Sequence, residues 1–180
     1  MRPRATPSHA REVLEVDWTF FGELCRGLAL RVATQFDPEI VVGIAKAGVI
    51  PAAVVASMLQ RDFTSMAVTR AGTDPRPTLV TAPPPASIKD RRVLIVDETC
   101  DSGDTLKLAL ATVRGLRPAA VRTAVSFKTS AYEPDFYALE SESAIVLPWD
   151  REIVMNGELV VRPDYAKWLS TAGQPPSTSR

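Results

Sequence analysis

Histidine and cysteine are scarce in this chain, and long apolar runs are missing. Its 180 residues include one histidine and two cysteines. Cys25 lies in a helical pattern and Cys100 in a polar loop, with neither metal-ligand spacing nor a disulfide framework, so both are expected as free thiols. His9 falls in a loose amino-terminal arm and reads as incidental. No stretch approaches the roughly 20 apolar residues that a membrane span requires, so no membrane is expected as a partner. Met1 to Ala10 carries arginines and prolines with no apolar stretch behind them, which is unlike a secretory signal, and the expected location is the cytoplasm. An excess of charge is absent too: 21 lysines and arginines balance 21 aspartates and glutamates. That leaves no broad positive field for nucleic acid, and none is expected as a partner. Internal repeats are also missing. What remains is a chain of single-domain length with 46% apolar residues, enough for an ordinary core.

The apolar residues are arranged as alternating helices and strands. Phe20, Phe21, Leu24, Leu28, Leu30 and Val32 mark a helix over Trp18 to Phe36, ended by Asp37-Pro38. Ile40 to Ala45 is a short continuous apolar run, as a buried parallel strand requires, and Pro51 to Leu59 reads as a helix with proline in its first turn. Strands are expected at Phe63–Thr69, Val93–Val96, Val121–Phe127 and around Ile145–Leu147, with a helix over Thr105–Leu116. Arg70 to Pro85 holds five prolines, a glycine and two arginines and is expected to be a mobile loop. The expected organisation is an arm over residues 1–12, a domain over 13–170, and a disordered tail rich in Pro, Ser and Thr over 171–180. The series implies an α/β fold, a mostly parallel twisted sheet with helices on both faces.

Ligands of such sheets bind beyond the carboxyl ends of the strands, so the strand exits carry the chemistry. Val93-Leu94-Ile95-Val96 runs straight into Asp97-Glu98-Thr99-Cys100-Asp101-Ser102-Gly103-Asp104-Thr105. A tight glycine turn opening a helix aims backbone N–H groups and the helix dipole at an anion, and the Ser102 and Thr105 hydroxyls add donors. Asp97 and Glu98 would repel a phosphate alone, so they call for hydroxyls or a divalent cation on the same ligand. A phosphorylated sugar with bound Mg²⁺ meets both demands. Capping alone accounts for Ser102 and Asp104 but leaves Asp97, Glu98 and Asp101 crowded without cause. At another exit, Ala45-Lys46-Ala47-Gly48 offers close backbone N–H groups and one cation, suited to a pyrophosphate, although glycine turns of this kind are common. Lys128, after Ser126-Phe127, is either a solvated strand end or a ligand to something at that edge.

Val93 to Thr105 resembles the phosphoribosyl-diphosphate (PRPP) motif of type I phosphoribosyltransferases, in which four apolar residues precede two acids, two small or apolar residues and then Asp-Thr/Ser-Gly-x-Thr. Gly43 to Ala52 resembles that family's pyrophosphate loop, with Ala47 in place of the first of two glycines. Glu133 to Tyr137 and Ile145 to Asp150 are similar to the end of its purine branch, the xanthine–guanine and hypoxanthine type, although Ala144 stands where relatives often carry an aromatic that stacks on the base. Trp149 reads as core packing rather than as a base platform.

The resemblance implies a parallel-sheet fold with a small hood, a homodimer or higher homo-oligomer, and condensation of a base, a 6-oxopurine, with PRPP to give a nucleoside 5′-monophosphate and pyrophosphate. It also assigns roles. Asp97 and Glu98 take the ribose hydroxyls and Mg²⁺; Asp101, Ser102, Gly103, Asp104 and Thr105 hold the ribose-5-phosphate; Lys46, Ala47 and Gly48 hold pyrophosphate, with a cis Ala45–Lys46 peptide. Asp101 is the proton acceptor for the base, Lys128, Ile145 and Val146 line the base site, and Arg70 and Arg76 sit on a lid. A regulator that senses PRPP or a nucleotide on the same fold, without base transfer, is the alternative.

Overall fold

The computed structural model describes residues 12–69, 76–163 and 165. In chain order its elements are β1 (Val13–Glu15), α1 (Trp18–Gln35), β2 (Ile40–Ala45), α2 (Val49–Leu59), β3 (Asp62–Thr69), β4 (Thr78–Thr81), α3 (Pro85–Ile88), β5 (Arg92–Cys100), α4 (Asp104–Gly115), β6 (Ala120–Lys128), β7 (Phe136–Glu140), β8 (Ala144–Val146), β9 (Glu152–Met155) and β10 (Glu158–Val161). They fall into two compact units. One spans Gly22–Ser141, and the other is built from the described parts of Met1–Phe21 and Glu142–Arg180. No described helix is long and apolar enough to cross a membrane.

The larger unit is a six-stranded sheet in the order β4-β3-β2-β5-β6-β7, parallel throughout except for the antiparallel β3–β4 pair. Both faces of the sheet are covered, which is why β2 and the first half of β5 are apolar on both sides. Leu28 and Val32 of α1 and Ala52 and Val55 of α2 pack on Val41, Leu94, Val96 and Ala124. On the opposite face Ile88 of α3 and Leu106, Ala109 and Val113 of α4 pack on Val42, Ile95 and Val125. Burial of this kind contributes about 25 cal/mol per Å² of apolar surface, so the two layers dominate the stability of the unit.

Several elements depart from the sequence reading. Thr78–Thr81 lies within the stretch expected to be an irregular loop, yet it forms edge strand β4 on Ala67–Thr69. The prolines at 77 and 83 flank this mostly β-branched run without entering it, and an exposed edge tolerates such neighbours. β5 runs on to Cys100 rather than stopping at Val96, because Thr99 and Cys100 keep pairing with Phe127 and Lys128. The last strand of the sheet is β7, whereas the expected strand at Ile145–Leu147 appears as β8 of the smaller unit, paired in parallel with β1. In that unit Trp149 packs edge-on against Phe21 at 4.8 Å and lies 5.6 Å from Trp18, as core packing requires. β9 and β10 form a hairpin closed by Asn156-Gly157, both at positive φ, a turn signal that the sequence reading passed over.

Candidate functional site

The exits of β2 and β5 lie against one another. Gly48 is buried, and a Cβ placed on it would meet Asp97 Oδ1 at 2.5 Å, Ile44 O at 2.7 Å and Asp97 Cα at 2.9 Å. Only glycine lets the 46–48 turn close on that carboxylate. The Ala45–Lys46 peptide is cis, as the resemblance implied. Ala47 is not among the residues at positive φ, so alanine fits where relatives carry glycine. Lys46 is exposed at the tip of this turn. Asp97 itself is buried, and its Oδ1 accepts the Glu98 N–H at 3.0 Å, while Glu98 is half-buried beside it.

Beyond β5 the chain makes the expected glycine turn. Gly103 adopts φ 77° as the residue before α4 and is buried beneath the Tyr132 ring, where a Cβ would overlap the ring. Asp101, Ser102 and Asp104 are exposed around it and Thr105 is half-buried. The Ser102 hydroxyl donates to Asp104 Oδ2 at 2.8 Å. The Lys107 ammonium donates to Ser102 O and Asp104 Oδ1, both at 3.2 Å, and sits 5.2 Å from the Tyr132 ring centroid. The turn thus carries a helix start, the Ser102 hydroxyl and a nearby cation, with Lys107 offsetting the Asp104 charge. Burial, with Asp97 and Asp101 adding to it, pushes the Cys100 thiol up to about 11, so it stays protonated. Cys100 and Cys25 are both buried free thiols.

The segment after β6 braces this turn. Thr129 donates to Cys100 O through its N–H at 2.9 Å and through its hydroxyl at 3.1 Å, and the Ser130 hydroxyl donates to Asp101 O. Lys128 is the register partner of Cys100, one residue from Asp101. Its side chain is 5% exposed, so it is not a solvated strand end. The ammonium donates to Glu133 Oε1 and, at 2.9 Å, to Glu140 Oε1, and lies 5.3 Å from the Tyr137 ring centroid. Those bonds, Glu133 first, raise its pKa against the opposing effect of burial, so the lysine is charged. Below it, Asp135 accepts from Arg122, from the Thr123 N–H at 2.8 Å and from the Thr123 hydroxyl at 2.9 Å.

The structure thus brings together Lys46, Ala47, Gly48, Asp97 and Glu98 at one exit pair, and Asp101 to Thr105 with Lys128 at the next. Ile145 and Val146 are buried on β8 of the other unit, paired with Leu14 and Glu15. Arg76 is exposed just before β4, while Arg70 lies outside the described residues. Sequence reasoning missed Lys107, Tyr132 and Glu140 and gave Glu133 no role of its own. Lys107 had a signal, its position three residues after Asp104 on a helix face.

A family profile described as "Phosphoribosyl transferase domain" matches residues 17–155. The chain belongs to this family. Membership makes this phosphoribosyltransferase an enzyme of the glycosyltransferase class. Comparison with curated protein sequences finds no match. Among solved structures the phosphoribosyltransferase resembles a purine phosphoribosyltransferase from Pyrococcus horikoshii, at 24% identity and TM-score 0.71 over 81% of this chain and 99% of that one. It also resembles a Helicobacter pylori xanthine-guanine-hypoxanthine phosphoribosyltransferase, at 18% identity and TM-score 0.67 over 77% and 94%. A third is a hypothetical protein from Neisseria gonorrhoeae with bound ppGpp, at 17% identity and TM-score 0.67 over 92% and 99%. These likenesses establish the fold.

Proposed function

We propose that the enzyme transfers the phosphoribosyl group of PRPP to a 6-oxopurine, giving a nucleoside 5′-monophosphate and pyrophosphate. The observation that carries this reading is the closure of the 46–48 turn on Asp97, which sets the exit that bears Lys46 against the Asp97–Glu98 pair. The purine phosphoribosyltransferases among its structural neighbours favour a purine as acceptor. Displacing pyrophosphate from C1 builds positive charge on the ring and negative charge on the leaving group, so stabilisation must be bipolar. Lys46 and the amides of Ala47 and Gly48 hold the diphosphate. Asp97 and Glu98 hold the ribose hydroxyls and lend negative potential to the ring. The amides and hydroxyls from Ser102 to Thr105 hold the 5′-phosphate. Asp101, exposed at the mouth of the turn, accepts the proton from N7 of the base. Lys128, charged and buried, donates to the carbonyl at the 6-position.

Asp97 and Glu98 also fit as the protein's share of a magnesium site. They are adjacent hard oxygen donors, and no three His, Cys, Asp or Glu side chains converge to hold a metal among the described residues. That donor set suits a cation that keeps several waters and takes its other ligands from substrate phosphates. When bound, Mg²⁺ supplies charge neutralisation to the departing diphosphate.

A second reading is favoured by the Neisseria structure, whose bound ppGpp is a guanosine nucleotide carrying two diphosphates. On it, the same cradle senses a nucleotide without base transfer. Incubation with PRPP, Mg²⁺ and hypoxanthine, guanine, xanthine, adenine, uracil or orotate, with pyrophosphate release as readout, decides between them. Release with the oxopurines alone supports transfer. Release with none, together with saturable ppGpp binding, supports the sensor.

A further inference from the structure

We propose that Glu133 reads the N–H beside the base carbonyl, so that Lys128 and Glu133 form a donor–acceptor pair selecting a lactam edge. This rests on the base-transfer reading above and adds to it a residue that chooses the substrate. An ammonium has three N–H donors. Lys128 gives one to Glu133 and one to Glu140, which leaves one for a base carbonyl. The two carboxylates are not equivalent. Glu140 is the register partner of Lys128 on the neighbouring strand and fixes the ammonium from within the sheet.

Glu133 stands outside the sheet, on a segment pinned at both ends. Upstream, Thr129 and Ser130 donate to Cys100 O and Asp101 O, and Tyr132 lies on Gly103. Downstream, Pro134 is buried and Asp135 is bonded to Thr123 and Arg122. Held between those anchors, the Glu133 side chain is 67% exposed. One of its oxygens accepts from Lys128, and its second has no partner among the described residues. An ionised carboxylate accepts at about four lone-pair positions, so Glu133 can serve Lys128 and a ligand N–H together.

The pair therefore presents a donor beside an acceptor, next to Asp101 and the sugar turn. The complementary edge is a carbonyl beside an N–H, the C6=O and N1–H of hypoxanthine, guanine or xanthine. Adenine reverses both groups: its amino hydrogens would face the ammonium, and its N1 lone pair would face the carboxylate. Each mismatch leaves a charged group without its bond, which is the strong form of discrimination.

The test uses the full chain with PRPP and Mg²⁺ and compares hypoxanthine with 1-methylhypoxanthine, which keeps the carbonyl and lacks the N1–H. The wild type is expected to favour hypoxanthine in kcat/KM by at least about tenfold. Glu133→Ala should bring that ratio to within about threefold and leave the KM for PRPP within about twofold, because Glu133 bonds Lys128 and the base edge and is assigned no contact with PRPP. Glu133→Gln should lower the ratio as well, and Glu140→Gln should leave it standing. A wild-type ratio retained in both Glu133 variants overturns the assignment while the base-transfer reading survives. A wild type that uses no oxopurine, or prefers adenine, overturns that reading itself, and this is seen without any variant.

Discussion

Gly48 is the position where a single methyl group should disable the enzyme. A Cβ there would sit 2.5 Å from Asp97 Oδ1, 2.7 Å from Ile44 O and 2.9 Å from Asp97 Cα. Two of those three atoms are backbone, belonging to β2 and β5 at the centre of the sheet, and they yield only if the strands or the turn move. Forced overpacking of this kind costs about 1–3 kcal/mol. For a chain of this length that corresponds to a melting temperature lower by about 4–8 °C at the middle of the range. The atom with most freedom is the Asp97 carboxylate, so it should rotate away from the 46–48 turn. If it thereby loses a charge-assisted bond to the ribose, worth about 1.5–3 kcal/mol, kcat/KM for PRPP falls about ten- to a hundredfold. Ala47→Gly is the informative control. Ala47 is not at positive φ, so restoring the family's glycine relieves nothing and costs about 0.5–1 kcal/mol of chain entropy, with little change in PRPP use. The assay is steady-state pyrophosphate release with PRPP varied, alongside thermal unfolding by circular dichroism. Gly48→Ala with wild-type stability and wild-type kcat/KM for PRPP would falsify the claim that the two loops are locked through this contact.

Three further substitutions probe the rest of the site. Asp101→Asn should keep PRPP affinity within about twofold and lower kcat by about 10²-fold, the range for losing a general base; unchanged kcat in rapid-quench turnover moves the proton acceptor elsewhere. Lys128→Ala should raise the KM for an oxopurine at least about tenfold while sparing PRPP. Its stability loss should be modest, because the Glu133 and Glu140 carboxylates it abandons are more than half exposed to water; an unchanged KM for the base refutes the contact. At Asp135 burial pushes the carboxyl up, but the bonds from Arg122 and Thr123 outweigh it and hold its pKa below the ordinary value. A lowered folded-state pKa contributes stability that is complete above the unfolded carboxylate value of about 3.9 and is lost as pH falls through the folded value. Asp135→Asn should therefore cost about 2 kcal/mol at pH 7 in urea unfolding, with the gap to wild type closing below about pH 4; a gap that stays constant to pH 3 contradicts the linkage.

The parts of this site that could be read from sequence are those whose function is written in consecutive residues. Asp97 to Thr105 announces itself because an acid pair, a glycine turn and a helix start are all local events. The central strands were legible for the same reason, since continuous apolar runs such as Ile40–Ala45 have few other uses. β4 and β7 were not, because an exposed four-residue edge and a five-residue run after Pro134 become strands only through the neighbour they pair with. Glu133 belongs to this second kind. In the sequence it is one acid among 21 acidic residues, five places from a lysine with no helix to bring them together. What singles it out is a chain of contacts made by other residues: Thr129 and Ser130 on the end of β5, Tyr132 on a glycine that must have positive φ, and Asp135 on β6. The glycine required for the phosphate turn thus also leaves the gap that Tyr132 fills, and Tyr132 in turn fixes the segment that carries Glu133. Through that shared glycine the proposed sugar end and the proposed base end are coupled mechanically, so Tyr132→Ala should loosen base discrimination even though Tyr132 is assigned no contact with the base.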